Sequence, residues 1–78
     1  MKITFGRVSD DGWERRVTVF LDGEEIGELY RGEGMSEWAA SSMELDGYDG
    51  DPYVAESNLA RAKKAVAESI REILEGRE

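Results

Sequence analysis

The stretch Arg16-Val17-Thr18-Val19-Phe20-Leu21-Asp22-Gly23-Glu24-Glu25-Ile26-Gly27-Glu28-Leu29-Tyr30 decides the fold. Its first half alternates: Val17, Val19 and Leu21 fall on one face, with Arg16, Thr18 and Phe20 on the other, the period-two pattern of a half-buried strand beginning at Trp13 or Glu14. Asp22-Gly23 is a two-residue hairpin signal, because Gly takes positive φ without steric cost and Asp tolerates it. A return strand follows from about Glu25 to Arg31, carrying Ile26, Leu29 and Tyr30. Gly27 marks a bulge that re-aims the alternation.

Outward from this hairpin, Ile3 and Phe5 alternate with Lys2 and Thr4 in a first strand that fades near Val8. Ser9-Asp10-Asp11-Gly12 is turn chemistry. On the other side, Arg31-Gly32-Glu33-Gly34 is a loose turn, and a fourth strand is expected from about Glu37 to Glu44 around Trp38, Ala40 and Met43. Leu45 to Asp51 reads as an exposed loop. Leu59, Ala62, Val66, Ile70 and Ile73 then recur at helical spacing, with Leu74 widening the stripe. Two helix starts compete, Ser57 as N-cap or Asp51 with Pro52 at the first helical position, so residues 52–56 are helix or an extended approach. The first is favoured, with a helix from about Asn58 to Glu75. Lys64–Glu68 and Arg71–Glu75 have the spacing of intrahelical ion pairs.

Strand, strand, strand, strand, helix in 78 residues predicts an α+β fold. It is an antiparallel four-stranded sheet with one C-terminal amphipathic helix packed on one face, forming a single domain over residues 1–78. Ile3, Phe5, Val17, Val19, Leu21, Ile26, Leu59, Val66, Ile70 and Ile73 are the expected core. Apolar runs never exceed three residues, which predicts neither a signal peptide nor a membrane span.

Chemistry is sparse. The chain has no Cys and no His, so the commonest general base, the best nucleophile and the usual zinc ligands are missing together. No Ser sits in a nucleophile elbow, and Gly32-Glu33-Gly34 puts a carboxylate where a phosphate loop needs Lys and Ser/Thr. The loop Asp46-Gly47-Tyr48-Asp49-Gly50-Asp51 is rich in oxygen ligands but fails the calcium-loop pattern. Counted from Asp46, the third position is Tyr48 and the twelfth is Ser57, where a bidentate Glu is required. No catalysis, metal or cofactor is expected.

Charge is the informative feature. Residues 1–31 carry −2, residues 58–78 carry +1, and residues 32–57 carry −7 with no basic residue, so one stretch accounts for nearly the whole net charge of −8. Solubility alone explains such a bias. The sharper reading notes that its carboxylates are interleaved with Trp38, Tyr48 and Tyr53, residue types enriched at interface hot spots. Glu33, Glu37, Trp38, Glu44, Asp46, Tyr48, Asp49, Asp51 and Tyr53 are thus the expected partner-binding residues. A focused negative field steers a basic protein and repels phosphate, so the expected partner is a basic protein and not nucleic acid or membrane.

The string from Arg16 to Tyr30, a later tryptophan strand, and the closing Asn58-Leu59-Ala60-Arg61-Ala62-Lys63-Lys64-Ala65-Val66 together resemble the small strand-rich, helix-terminated proteins of phages and prophages. In size, acidity and lack of catalytic groups the chain is similar to anti-CRISPR proteins. Many of those act stoichiometrically by occupying the DNA-handling surface of a CRISPR effector. The resemblance implies a cytoplasmic inhibitor in the host cell whose target is a CRISPR effector subunit. Members of that family share no motif, so it implies no site residue. The alternative expectation is a structural domain that forms a homodimer through its open sheet face or an edge strand, with acidity serving solubility. A third, less favoured, is a nucleic-acid binder using Arg16 and Phe20 on that face.

Overall fold

A computed structural model describes residues 2–41, 44 and 54–76. The elements are β1 (Ile3–Phe5), β2 (Ser9–Asp10), β3 (Glu14–Leu21), β4 (Glu24–Gly32), β5 (Ala39–Ser41) and α1 (Leu59–Glu75). The sheet is antiparallel throughout, with order β1-β3-β4-β5 and β2 beside β1 on the same edge of β3. β1 and β2 are one interrupted outer strand: Phe5 faces Val19, the Gly6 amide still donates to the Thr18 carbonyl, and Ser9 faces Arg16. The architecture is therefore the four-stranded meander with a C-terminal helix that the pattern predicts. The outer strand runs further than expected, through Ser9 and Asp10, which moves the turn to residues 11–13.

The central hairpin forms as its sequence requires. Asp22 and Gly23 both take positive φ, 51° and 86°, the two-residue turn whose twist matches the flanking strands. Val19 pairs with Gly27 and Phe20 with Glu25, leaving Ile26 as the extra residue of a bulge. That bulge lets Ile26 and Leu29, three positions apart, both be buried in a strand whose normal period is two.

Among the described residues nine side chains make the core: Val17, Val19, Ile26, Leu29, Trp38, Val54, Ala62, Val66 and Ile70, with Ile3, Phe5, Leu21, Leu59 and Ile73 among those packed against it. The helix contributes Ala62, Val66 and Ile70, a stripe at spacings of four that lies on one face of the cylinder. Every expected core residue is in or against this cluster. Leu29, Ala62, Trp38 and Val54 join them without having been expected in the core.

Two boundaries differ from the sequence reading. The fourth strand starts at Ala39 rather than Glu37, its expected continuation through Met43 lies outside the described residues, and Trp38 precedes it in an isolated bridge to Glu56, its amide donating to the Glu56 carbonyl at 2.8 Å. Glu56 is thus in an extended approach, and helix begins only after Asn58. The N-cap is Asn58, not Ser57: the Asn58 side chain accepts a hydrogen bond from the Arg61 amide at 3.2 Å, one of the orphan donors of the first turn. The Ser57 carbonyl instead accepts from Arg31 Nη1 at 3.4 Å, while Arg31 Nε donates to the Met35 carbonyl at 3.0 Å. One arginine of β4 thereby ties both the Met35 loop and the approach to the helix to the sheet.

Two outcomes follow for stability. Leu29→Ala, at a fully buried position, is expected to cost about 2–5 kcal/mol and lower the urea midpoint without changing the slope; a loss below about 1 kcal/mol would contradict the burial. Asn58→Ala should cost about 1 kcal/mol by the same measurement and Ser57→Ala only a few tenths, and the reverse order would restore Ser57 as the cap.

Candidate functional site

The end of the sheet where β2 turns into β3 is built on two aspartates. Asp10 Oδ1 accepts from the Gly12 amide at 2.9 Å, and Asp11 Oδ1 accepts from the amides of Trp13 and Glu14, both at 2.8 Å. Gly12 supplies the positive φ, 91°, that reverses the chain. The tight turn leaves the Trp13 side chain no core to enter, and it stands 73% exposed. Its carbonyl accepts from the Glu33 amide at 2.8 Å, which fastens the turn to the loop leaving β4. That loop is closed by the Met35 amide on the Gly32 carbonyl and by the Gly32 amide on Met35 Sδ, both at 3.1 Å. Between turn and loop runs an open groove of about 460 Å³ whose lining includes Trp13, Glu14, Arg15, Arg31, Glu33 and Met35.

The cations at this end are already engaged. Arg15 Nε lies 3.3 Å from Asp10 Oδ2. Arg16, on the face away from the helix, bridges Glu14 and Glu28, with Nη1 2.7 Å from Glu28 Oε1. The hydrogen bond from Arg16 to Glu14, with Glu28 adding to it, raises the guanidinium pKa above its ordinary value. The guanidinium of Arg31 is spent on the Met35 and Ser57 carbonyls. Asp11, Glu33 and Glu37 form no salt bridge among the described residues. The Glu14 amide, then that of Trp13, lowers the Asp11 pKa below its ordinary 3.8. The ion pairs expected along the helix at Lys64–Glu68 and Arg71–Glu75 are absent among the described residues; Lys63 instead lies over the Phe5 ring, 5.6 Å from its centroid.

The residues expected to bind a partner separate into groups. Glu33 and Glu37 are exposed, in the loop beside the Trp13 turn. Glu44 is exposed at the opposite end, its amide donating to the Ile26 carbonyl, beside a second groove of about 400 Å³ that it lines with Glu25, Ile26, Gly27 and Glu28. The six residue-to-residue steps along β4 from Gly32 to Ile26 put roughly 20 Å between the two groups, so the described part of the acidic stretch is not one continuous patch. Trp38 is a correction: it is 3% exposed, in the core against the sheet, and offers no surface to a partner. Asp46, Tyr48, Asp49, Asp51 and Tyr53 lie outside the described residues.

Among the described residues the exposed aromatic is Trp13; of the two expected strand starts, Trp13 and Glu14, the strand takes Glu14 and leaves Trp13 in the turn. The signal available for it was position: it directly follows Asp10-Asp11-Gly12, where a side chain belongs to the turn rather than to the sheet. Among the described residues, no group of three or more acidic side chains is arranged to hold a metal, and no helix is long and apolar enough to cross a membrane.

The lowered Asp11 pKa sets a sign for the pH dependence. The carboxylate's contribution to stability is fully present above the unfolded value of 3.8 and disappears as pH falls through the lower folded value. Asp11→Ala is expected to lower the thermal midpoint at neutral pH and to approach the parent as pH falls below 3.8 and through the lower folded value. A difference that stays constant with pH would show that the carboxylate charge is not what holds the turn. In comparisons with protein-family models, curated proteins and solved structures, nothing matches this chain.

Proposed function

We propose that the chain is a non-catalytic, protein-binding inhibitor of phage or mobile-element origin, comparable in mode of action to anti-CRISPR proteins. It acts in the host cytoplasm by covering a basic, nucleic-acid-binding surface of a defence protein, such as a CRISPR effector subunit. The observation that supports this reading is an imbalance at the β2–β3 end of the sheet. Among the described residues Asp11, Glu33 and Glu37 have no salt-bridge partner, while Arg15, Arg16 and Arg31 are held by acceptors of the chain itself. An unneutralised negative surface steers a cationic partner into contact and repels nucleic acid. The same engagement of Arg16 weighs against a nucleic-acid binder on the open face, since its charge is matched by Glu14 and Glu28.

A second reading rests on the uncovered face itself. Phe20 and Tyr30 are half-buried on the face opposite the helix, and a Cβ at Gly6 would lie 3.4 Å from the Phe20 ring. A dimer joined through this face would be monomerised by Phe20→Glu, read by light scattering. Monomers in the parent protein leave the inhibitor reading alone.

With the host partner recovered by pull-down, the combined change Glu33→Lys and Glu37→Lys is expected to weaken binding by roughly tenfold or more at low salt. Both residues are exposed, so the thermal midpoint should stay within about two degrees of the parent. Unchanged affinity would remove the acidic end from the mechanism.

A further inference from the structure

We propose that Trp13 and the groove beside it receive an arginine side chain of the partner. The inference rests on the reading of a basic protein partner and adds a specific anchor to it.

Several observations converge on this groove. Trp13 is 73% exposed, yet its backbone is held on three sides: its amide by Asp11 Oδ1, its carbonyl by the Glu33 amide, and the neighbouring Glu14 amide again by Asp11. An aromatic side chain on so constrained a turn loses little further backbone freedom on binding, which is the economy of a preorganised contact. Its ring is also free of competitors. Among the described residues the cation over a ring is Lys63 on Phe5, and none lies over Trp13. The arginines that line the groove, Arg15 and Arg31, are bonded to Asp10 and to the Met35 and Ser57 carbonyls.

Glu33 lines the same groove and, among the described residues, has no salt bridge of its own. A ring face beside an unpaired carboxylate is complementary to a planar cation. The guanidinium stacks on the indole and donates from its edge to the carboxylate, so both groups are satisfied at once. A lysine ammonium is compact and strongly hydrated, and it can reach the carboxylate without using the ring to the same extent. The groove is therefore selective for arginine over lysine, whereas the surrounding negative field attracts both.

The test uses the full chain and a fluorescein-labelled oligoarginine peptide, with oligolysine and oligocitrulline of equal length, read by fluorescence anisotropy at low salt. The parent should bind oligoarginine more tightly than oligolysine and oligocitrulline least. Trp13→Leu should weaken oligoarginine by roughly fivefold and oligolysine by much less, while Trp13→Phe restores part of the loss. Glu33→Gln should weaken both cationic peptides. If Trp13→Leu binds oligoarginine as the parent does, the anchor is overturned, while sensitivity to the Glu33→Lys, Glu37→Lys pair would leave the general acidic reading standing. Failure of the parent to bind either cationic peptide overturns both. Circular dichroism of the Trp13 variants confirms that the sheet is intact, as the exposure of that side chain requires.

Discussion

Everything in this molecule depends on the seam where Val17, Val19 and Leu29 of the sheet share one core with Ala62, Val66 and Ile70 of the helix. A chain of 78 residues without Cys or His has neither disulfide nor thiolate and imidazole metal ligation to supplement a small core. One helix covers one face of one sheet, and the rest of the apolar surface must be closed by whatever lies nearest. Trp38 and Val54 do this. They flank the stretch richest in carboxylates, and the bridge from Trp38 to Glu56 brings its two ends together over the core. The acidic segment is thereby anchored by its own apolar residues; of its described carboxylates Glu33, Glu37 and Glu44 are exposed and Glu56, at the bridge, is half-buried.

The same economy explains how charge is distributed. Arginines in and beside the sheet serve the fold: Arg16 links β3 to β4 across the open face, Arg15 links the outer strand to β3, and Arg31 holds the Met35 loop and the residue before the N-cap. Where the acceptor is a carboxylate, each such use cancels one negative charge with one positive charge at the surface. The excess of 18 acidic over 10 basic residues, a net charge of −8, is what remains for the surface to present. At the β2–β3 end this excess meets an exposed tryptophan, and there the proposed binding function is concentrated.

Much of the fold could be read from residue order, and what could not has a physical cause. The alternation of Val17, Val19 and Leu21, the Asp22-Gly23 turn and the helical stripe each carry a local signal of known period, and each formed as expected. Gly27 correctly marked a bulge, although the extra residue is its neighbour Ile26. Trp38 was misread because a tryptophan among carboxylates has the composition of an interface, and only the pairing with Glu56, a long-range contact, reveals it as core. Trp13 was missed for the opposite reason: a strand-forming residue beside a strand is assigned to it unless the turn's own hydrogen bonds are known. Ser57 and Asn58 are equally good capping types, so geometry alone decides between them. Continuity of the acidic patch was never a local property, and the path of β4 separates Glu33 and Glu37 from Glu44.

The core, the turn and the proposed anchor all depend on the two tryptophans, Trp38 buried where its acidic neighbours suggested a surface and Trp13 exposed in the turn just before β3. Acrylamide quenching of the native protein's fluorescence tests this most directly. With Trp13 at 73% and Trp38 at 3% exposure, quenching should resolve an accessible and a protected population, and Trp13→Phe should remove the accessible one. A single population with uniform access, or an accessible population that survives Trp13→Phe, would contradict the core, the turn and the proposed anchor together.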